Sequence, residues 1–192
     1  MKLYMLLLGC KPRGRNTEQH DVFFGVGDDL MDLLPGIFDF WPEAKRKIHL
    51  DAWREVTVVD GFGVRVVPRN DIADPLPDPA KLFFLNLGGY KQGEFEEFHY
   101  KMLTAGKNKA EAIQKAKDTV FFKHTGFKGA NAHIDEKYGV DVDDVYEIED
   151  ILPDELKKNY RISLSPLTNI VEDELHLGYV NLEKIAAKNP TT

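Results

Sequence analysis

Cysteine is almost absent. Cys10 stands alone in 192 residues, so no internal disulfide and no multi-cysteine metal site can form. Long apolar runs are also missing. None approaches the roughly 18 to 20 residues that a membrane helix needs. An excess of positive charge is lacking too: the net charge is −7 and the isoelectric point about 5.4. That argues against nucleic acid or an anionic membrane as partner, since both reward a basic surface. What remains is an ordinary globular composition, 43% hydrophobic and 30% charged, with enough chain to bury a core.

The opening stretch MKLYMLLLGC raises the question of a lipoprotein signal ending at Cys10. Its apolar run, Leu3 to Leu8, is short for membrane insertion. Runs of that length read as buried strands. A second copy of the pattern, LFFLNLGG at 82–89, lies deep inside the chain. The N-terminus is therefore expected to be a core strand, with Cys10 a small residue at its end, in a cytoplasmic protein.

The likeness extends further. Residues 3–27 align with 82–106 without a gap, and the identical pairs include Leu8/Leu87, Gly9/Gly88, Gly14/Gly93, Glu18/Glu97 and His20/His99. After a short insertion, 47–66 align with 131–150, matching His49 with His133 and Asp51 with Asp135. Internal repetition sets architecture. The pattern predicts an α+β protein of two tandem ββαβ-like repeats related by a pseudo-twofold axis, with a mixed, mostly antiparallel sheet. Repeat 1 spans 1–67 and repeat 2 spans 82–152. The stretch 68–81, with prolines at 68, 75, 77 and 79, reads as a linker. Residues 153–192 form an extension with one or two strands. Within repeat 2, Asn108 with Glu111 has capping-box spacing ahead of a helix. In repeat 1, Pro35 and Gly36 break the matching segment into short turns. A hairpin is expected around Asp60-Gly61, with VDDVYEIEDI as its weaker twin.

Three stretches, LGCKPRGRNTEQHDVFFGVG (8–27), FWPEAKRKIHLDAWREV (40–56) and NLGGYKQGEFEEFHYKML (86–103), resemble the bacterial family known as domain of unknown function 1543. Members of that family carry one or two copies of such a unit. The resemblance implies an uncharacterised bacterial protein and brings no activity, cofactor or catalytic residue with it.

Polar residues shared by the two copies carry the functional reading. Four of the six histidines fall in paired motifs: Glu18-x-His20 with Glu97-x-His99, and His49-x-Asp51 with His133-x-Asp135. On a strand, residues two apart point to one face. Each unit could thus bring two imidazoles and two carboxylates together, a set suited to Zn²⁺, Mn²⁺, Fe²⁺ or Ni²⁺. The same set could act as a general acid/base cluster. It could equally be a pair of structural hydrogen bonds that pin strand ends. A weaker candidate is an anion site at Lys11, Arg13 and Arg15, which the second loop largely lacks. That loop is no nucleotide-phosphate loop, since the Gly-Lys-Ser/Thr ending is absent. The leading expectation is a module that binds a small molecule or a protein without catalysis. The alternative is a metal-dependent hydrolase in which the histidines ligate the ion and Glu18 is the base.

Overall fold

A computed structural model describes residues 1–70, 80–90, 95–124 and 141–182. The protein is α+β, and every strand pairing among the described residues is antiparallel. The chain divides into two compact units. One comprises Met1–Asp71 with Leu152–Thr192, and the other Ile72–Ile151. No helix among the described residues is long and apolar enough to cross a membrane.

The first unit begins with β1 (Lys2–Cys10) and β2 (Gln19–Gly27), joined antiparallel from Lys2↔Gly27 to Cys10↔Gln19. A 3-10 turn, Leu30–Leu33, follows. Asp29 caps it by accepting from the Met31 N–H at 2.7 Å. Helix α1 (Leu34–Phe40) starts with Pro35 in its first turn, where a missing N–H costs nothing. Then come β3 (His49–Glu55), the short β4 (Val58–Val59) and β5 (Phe62–Pro68). Asp60 and Gly61 make the β4–β5 turn, both at positive φ (51° and 81°), as the expected two-residue hairpin demands.

The C-terminal part returns to this unit through β9 (Tyr160–Pro166) and β10 (His176–Asn181). β9 pairs with β5, and β10 adds to β3. The larger sheet thus runs β10-β3-β1-β2, and the smaller β4-β5-β9. Alternate residues of β1 (Tyr4, Leu6, Leu8, Cys10) pack with Phe23, Leu50, Leu34 and Ile37 in one core. Burial of each large apolar side chain there contributes about 1.5–3 kcal/mol. The other face of β1 carries Leu3, Met5, Leu7 and Gly9.

The second unit contains β6 (Lys81–Tyr90), β7 (Glu97–Gly106), helix α2 (Lys109–His124), β8 (Asp141–Glu147) and α3 (Ile148–Ile151). Its sheet has the order β7-β6-β8. The expected cap is present: the Glu111 N–H donates to Asn108 Oδ1 at 3.0 Å, and Glu111 accepts from the Lys107 N–H at 2.9 Å. Ala112 and Ala116, fully buried, let the helix close onto Phe83, Leu85 and Leu87.

The two sheets have matching registers. Gly9 faces His20 in one, and Gly88 faces His99 in the other. A bulge falls opposite Leu7/Leu8 of β1, in β3, and opposite Asn86/Leu87 of β6, in β8. Lys2 pairs with Glu55 at 2.9 Å, and Lys81 with Glu147 at 2.9 Å. The ladders also correct the sequence reading of VDDVYE. It is not a hairpin twin, because β8 pairs with β6 as β3 pairs with β1. Across from Gly88 stands Asp141, at the place that His49 takes across from Gly9. His133 and Asp135 lie outside the described residues.

Candidate functional site: two imidazoles and two carboxylates over Gly9

β1 lies between β2 and β3, and Gly9 is in register with His20 on one side and His49 on the other. Strands two places apart in a sheet are separated by about 9–10 Å. Two histidines at those places meet only if their rings reach over the central residue, and glycine alone leaves the space. A Cβ on Gly9 would lie 2.3 Å from His49 Nε2 and 2.7 Å from Asp51 Oδ2.

Asp51 owes its position to the bulge. Leu8 pairs with Leu50 and Leu7 with Ala52, so Asp51 is the extra residue in β3 with no partner in the ladder. Bulges re-aim side chains in this way and recur beside functional sites. Glu18, just before β2, shares a face with His20 through the two-residue strand period.

Glu18, His20 and His49 each place one donor atom within 4.8 Å of the other two, and Asp51 Oδ2 lies near both imidazoles. His20 Nε2 lies 3.3 Å from Asp51 Oδ2 and 3.9 Å from Glu18 Oε2. His49 Nε2 lies 3.2 Å from Glu18 Oε1 and 3.4 Å from Asp51 Oδ2. Both Nε2 atoms thus aim at one carboxylate oxygen. Yet Asp51 Oδ2 is buried and accepts no hydrogen bond. His49 is buried and Tyr179 packs on its ring, centroids 4.6 Å apart. The Glu18 and His20 side chains remain 46% and 42% exposed, so the cluster opens to solvent on their side.

The other sequence candidates are placed differently. Glu97 and His99 repeat the first half of the arrangement, with His99 Nε2 3.9 Å from Glu97 Oε2 and Gly88 in register with His99. On the far side the register position is that of Asp141. Lys11, Arg13 and Arg15 are exposed on the connection between β1 and β2, turned by Gly14 at φ 85°. Cys10 ends β1 on the core side, and burial pushes its thiol pKa up. His176 has no twin in sequence and stacks flat on Trp53, centroids 3.8 Å apart.

A cavity of about 450 Å³ lies in the same unit, lined by residues including Trp53, Glu55, Thr57, Asp173, Glu174 and His176. None of the four convergent residues lines it. Several of its polar groups have partners: Glu55 pairs with Lys2, Asp173 accepts from Thr57, and His176 stacks on Trp53 and lies 3.8 Å from Glu174. The cluster over Gly9 is the site with an unmet demand.

Comparison with known proteins adds the fold and a family match. Residues 15–66 match the model of a family described as Domain of Unknown Function (DUF1543), in agreement with the resemblance seen in sequence. All four convergent residues fall inside that stretch. No curated protein matches the chain. Among solved structures, the crystal structure of a protein Il1583 from Idiomarina loihiensis is similar, with a TM-score of 0.60 at 20% identity. That likeness covers 93% of this chain and 95% of the other, and it establishes a shared fold. These comparisons attach no catalytic activity to the chain.

Proposed function

We propose that the protein is a binding module whose first unit holds a divalent first-row transition-metal ion through Glu18, His20, His49 and Asp51. The observation that carries this reading is Asp51 Oδ2: a buried carboxylate oxygen, faced by two imidazole nitrogens, that accepts no hydrogen bond. Leaving such a group unpaired costs about 1–3 kcal/mol. A cation between the two imidazoles and Glu18, the three donors that lie within 4.8 Å of one another, would offset that cost by placing positive charge beside Asp51 Oδ2.

The separations support the same reading. Ligands about 2.0–2.1 Å from a tetrahedral ion are about 3.3–3.4 Å apart. The imidazole nitrogens lie 3.3 and 3.4 Å from Asp51 Oδ2, and 3.2 and 3.9 Å from the two different oxygens of Glu18. Two imidazoles and two carboxylates favour Zn²⁺, Fe²⁺, Mn²⁺ or Ni²⁺ over Mg²⁺, which prefers all-oxygen octahedra. The matching registers support reading the two units as copies of one ββαβ-like unit, with Asp141 in the second at the register position of His49 in the first.

A second reading is metal-dependent hydrolysis, with Glu18 as base rather than ligand. The exposure of Glu18 beside His49 favours it. Thermal melts with EDTA, then with each metal alone, test the site itself. An ion at 100 times its Kd adds about 2.7 kcal/mol. For a chain of this size that raises Tm by about 5–10 °C. A wild-type protein that no metal stabilises would reduce the cluster to imidazole–carboxylate ion pairs that pin strand ends.

A further inference from the structure

The end of the sheet that carries the four donors also collects positive charge. Lys11, Arg13 and Arg15 lie in the chain between Gly9 and Glu18. Lys45, Arg46 and Lys47 stop two residues short of His49. β1 ends where β2 and β3 begin, so both runs emerge at one end of the β3-β1-β2 ladder. Six of the chain's 25 basic residues stand there, in a protein of net charge −7. All six are exposed. Among the described residues none of them forms an ion pair.

The second run is held in an unusual backbone. Lys45 (φ 50°) and Arg46 (φ 66°) are consecutive non-glycine residues in the left-handed region. Hydrogen bonds from the Lys45 N–H to Pro42 O at 3.0 Å and from the Lys47 N–H to Ala44 O at 2.9 Å close the turn. The Arg46 guanidinium sits 4.4 Å over the Phe38 ring. Strain of this kind persists where the surrounding structure imposes it, and it concentrates at binding sites.

The second unit serves as an internal comparison. The connection between its β6 and β7 carries one base, Lys91, with Glu94 and Glu96, and the six residues before Asp141 hold one lysine, Lys137, with Asp135 and Glu136. Both basic runs accompany the unit whose two histidines flank the central glycine in register, and neither accompanies the unit whose ladder sets Asp141 at the second place.

We infer that this basic rim selects the ligand of the metal site: a multivalent oxyanion of the phosphate class, one oxygen of which binds the ion while the rim meets the remaining charge. This rests on the metal reading above. Glu18 and Asp51 neutralise a divalent ion, so the ion alone exerts little long-range pull on an anion. Six cations beside it supply that pull, and arginine forks match phosphate oxygens. The exposed side of Glu18 and His20 leaves the ion approachable.

The test uses the full chain, titrated first with Zn²⁺ and then, once loaded, with inorganic phosphate, with acetate as the monovalent control. Wild type and the Lys11→Ala/Arg13→Ala/Arg15→Ala variant are compared. The variant is expected to bind Zn²⁺ as tightly as wild type or more so, since three repelling charges are gone. Its phosphate affinity should fall roughly tenfold or more, and wild-type phosphate binding should weaken with added salt. A Lys45→Gln/Lys47→Gln variant, which leaves Arg46 on Phe38, should weaken phosphate the same way. Phosphate binding that is absent from the loaded wild type, equal in the variants, or equal without Zn²⁺ overturns the oxyanion inference while leaving the metal site standing. Failure of wild type to take up Zn²⁺ removes the metal reading itself. A variant that loses Zn²⁺ along with phosphate contradicts the division of labour between rim and donors.

Discussion

Gly9 and His49 face each other across the β1–β3 ladder, and the imidazole occupies the space where a Gly9 side chain would stand, with Nε2 2.3 Å from the ideal Cβ position. The absence of a side chain at Gly9 is thus part of the site. Gly9→Ala should displace His49 and Asp51 together. Metal stabilisation in thermal melts is expected to vanish, with an overpacking cost of about 1–3 kcal/mol to the metal-free protein. Retention of the full metal-dependent rise in Tm by Gly9→Ala would show that the imidazole does not need that space.

The two histidines should separate stability from binding. His49 is buried beneath Tyr179, whereas the His20 side chain is 42% exposed. Removal of His49 leaves a cavity and one fewer group facing Asp51. His49→Ala is therefore expected to lose about 1–3 kcal/mol in urea unfolding. His20→Ala should fall within about 0.5 kcal/mol of wild type. Both should lose metal binding, measured by competition with a chromogenic chelator. An equal stability loss in the two variants would contradict the difference in burial.

Much of the first site was legible in sequence because strand periodicity is a local rule. Glu18 with His20, and His49 with Asp51, each share a face by spacing alone. That the two pairs meet depends on register, which no local pattern fixes. The apolar patterns at 3–27 and 82–106 each read as two strands, and each forms an antiparallel ladder, β1–β2 and β6–β7. The alignment of His49 with His133 went a different way from the ladders, which set Asp141 opposite Gly88. Between β7 and β8 the chain inserts a full helix, α2, where the first unit has short turns, so the spacing is not conserved and chance matches compete. Asp51 as a bulge residue was hidden for the same reason, since a bulge is defined by the partner strand. The destination of β9 and β10 was equally invisible: YRISLSPL reads as a strand, but nothing in it names β5 as its partner. The run Lys45–Lys47 was readable as charge, yet its closeness to His49 gains meaning only once β3 is known to start there.

Asp173 ties the C-terminal segment to the first unit. Its carboxylate accepts from the Thr57 N–H at 3.1 and 3.2 Å and from Thr57 Oγ1 at 2.5 Å, across 116 residues of sequence. Charge-assisted hydrogen bonds contribute about 1.5–3 kcal/mol, less where water competes, as it does at this exposed pair. Asp173→Ala is expected to cost about 1 kcal/mol and to speed amide hydrogen exchange at Thr57 more than in the second unit. Unchanged exchange at Thr57 would mean that the carboxylate does not protect that amide.

Cys10 gives stability a distinct alkaline limb. Its thiol sits in the core beside Leu8, and burial raises its pKa, with the negative charges of Glu18 and Glu43 adding to the effect. The unfolded chain therefore releases this proton at lower pH than the folded one. Its contribution is complete below the ordinary thiol range, about pH 8.5, and is lost as pH rises through the raised folded value. Burial raises the Tyr4 hydroxyl in the same sense, so a second loss follows at higher pH. Urea unfolding at intervals from pH 7.5 upward should show stability declining from about pH 8.5. In Cys10→Ala the first part of that decline should flatten, while the later part, to which Tyr4 and the paired Lys2 and Lys81 contribute, remains. Should the early decline persist unchanged in Cys10→Ala, the thiol is not its source. The same thiol should resist alkylation in the folded protein and react once urea unfolds it, because the thiolate is the reactive form.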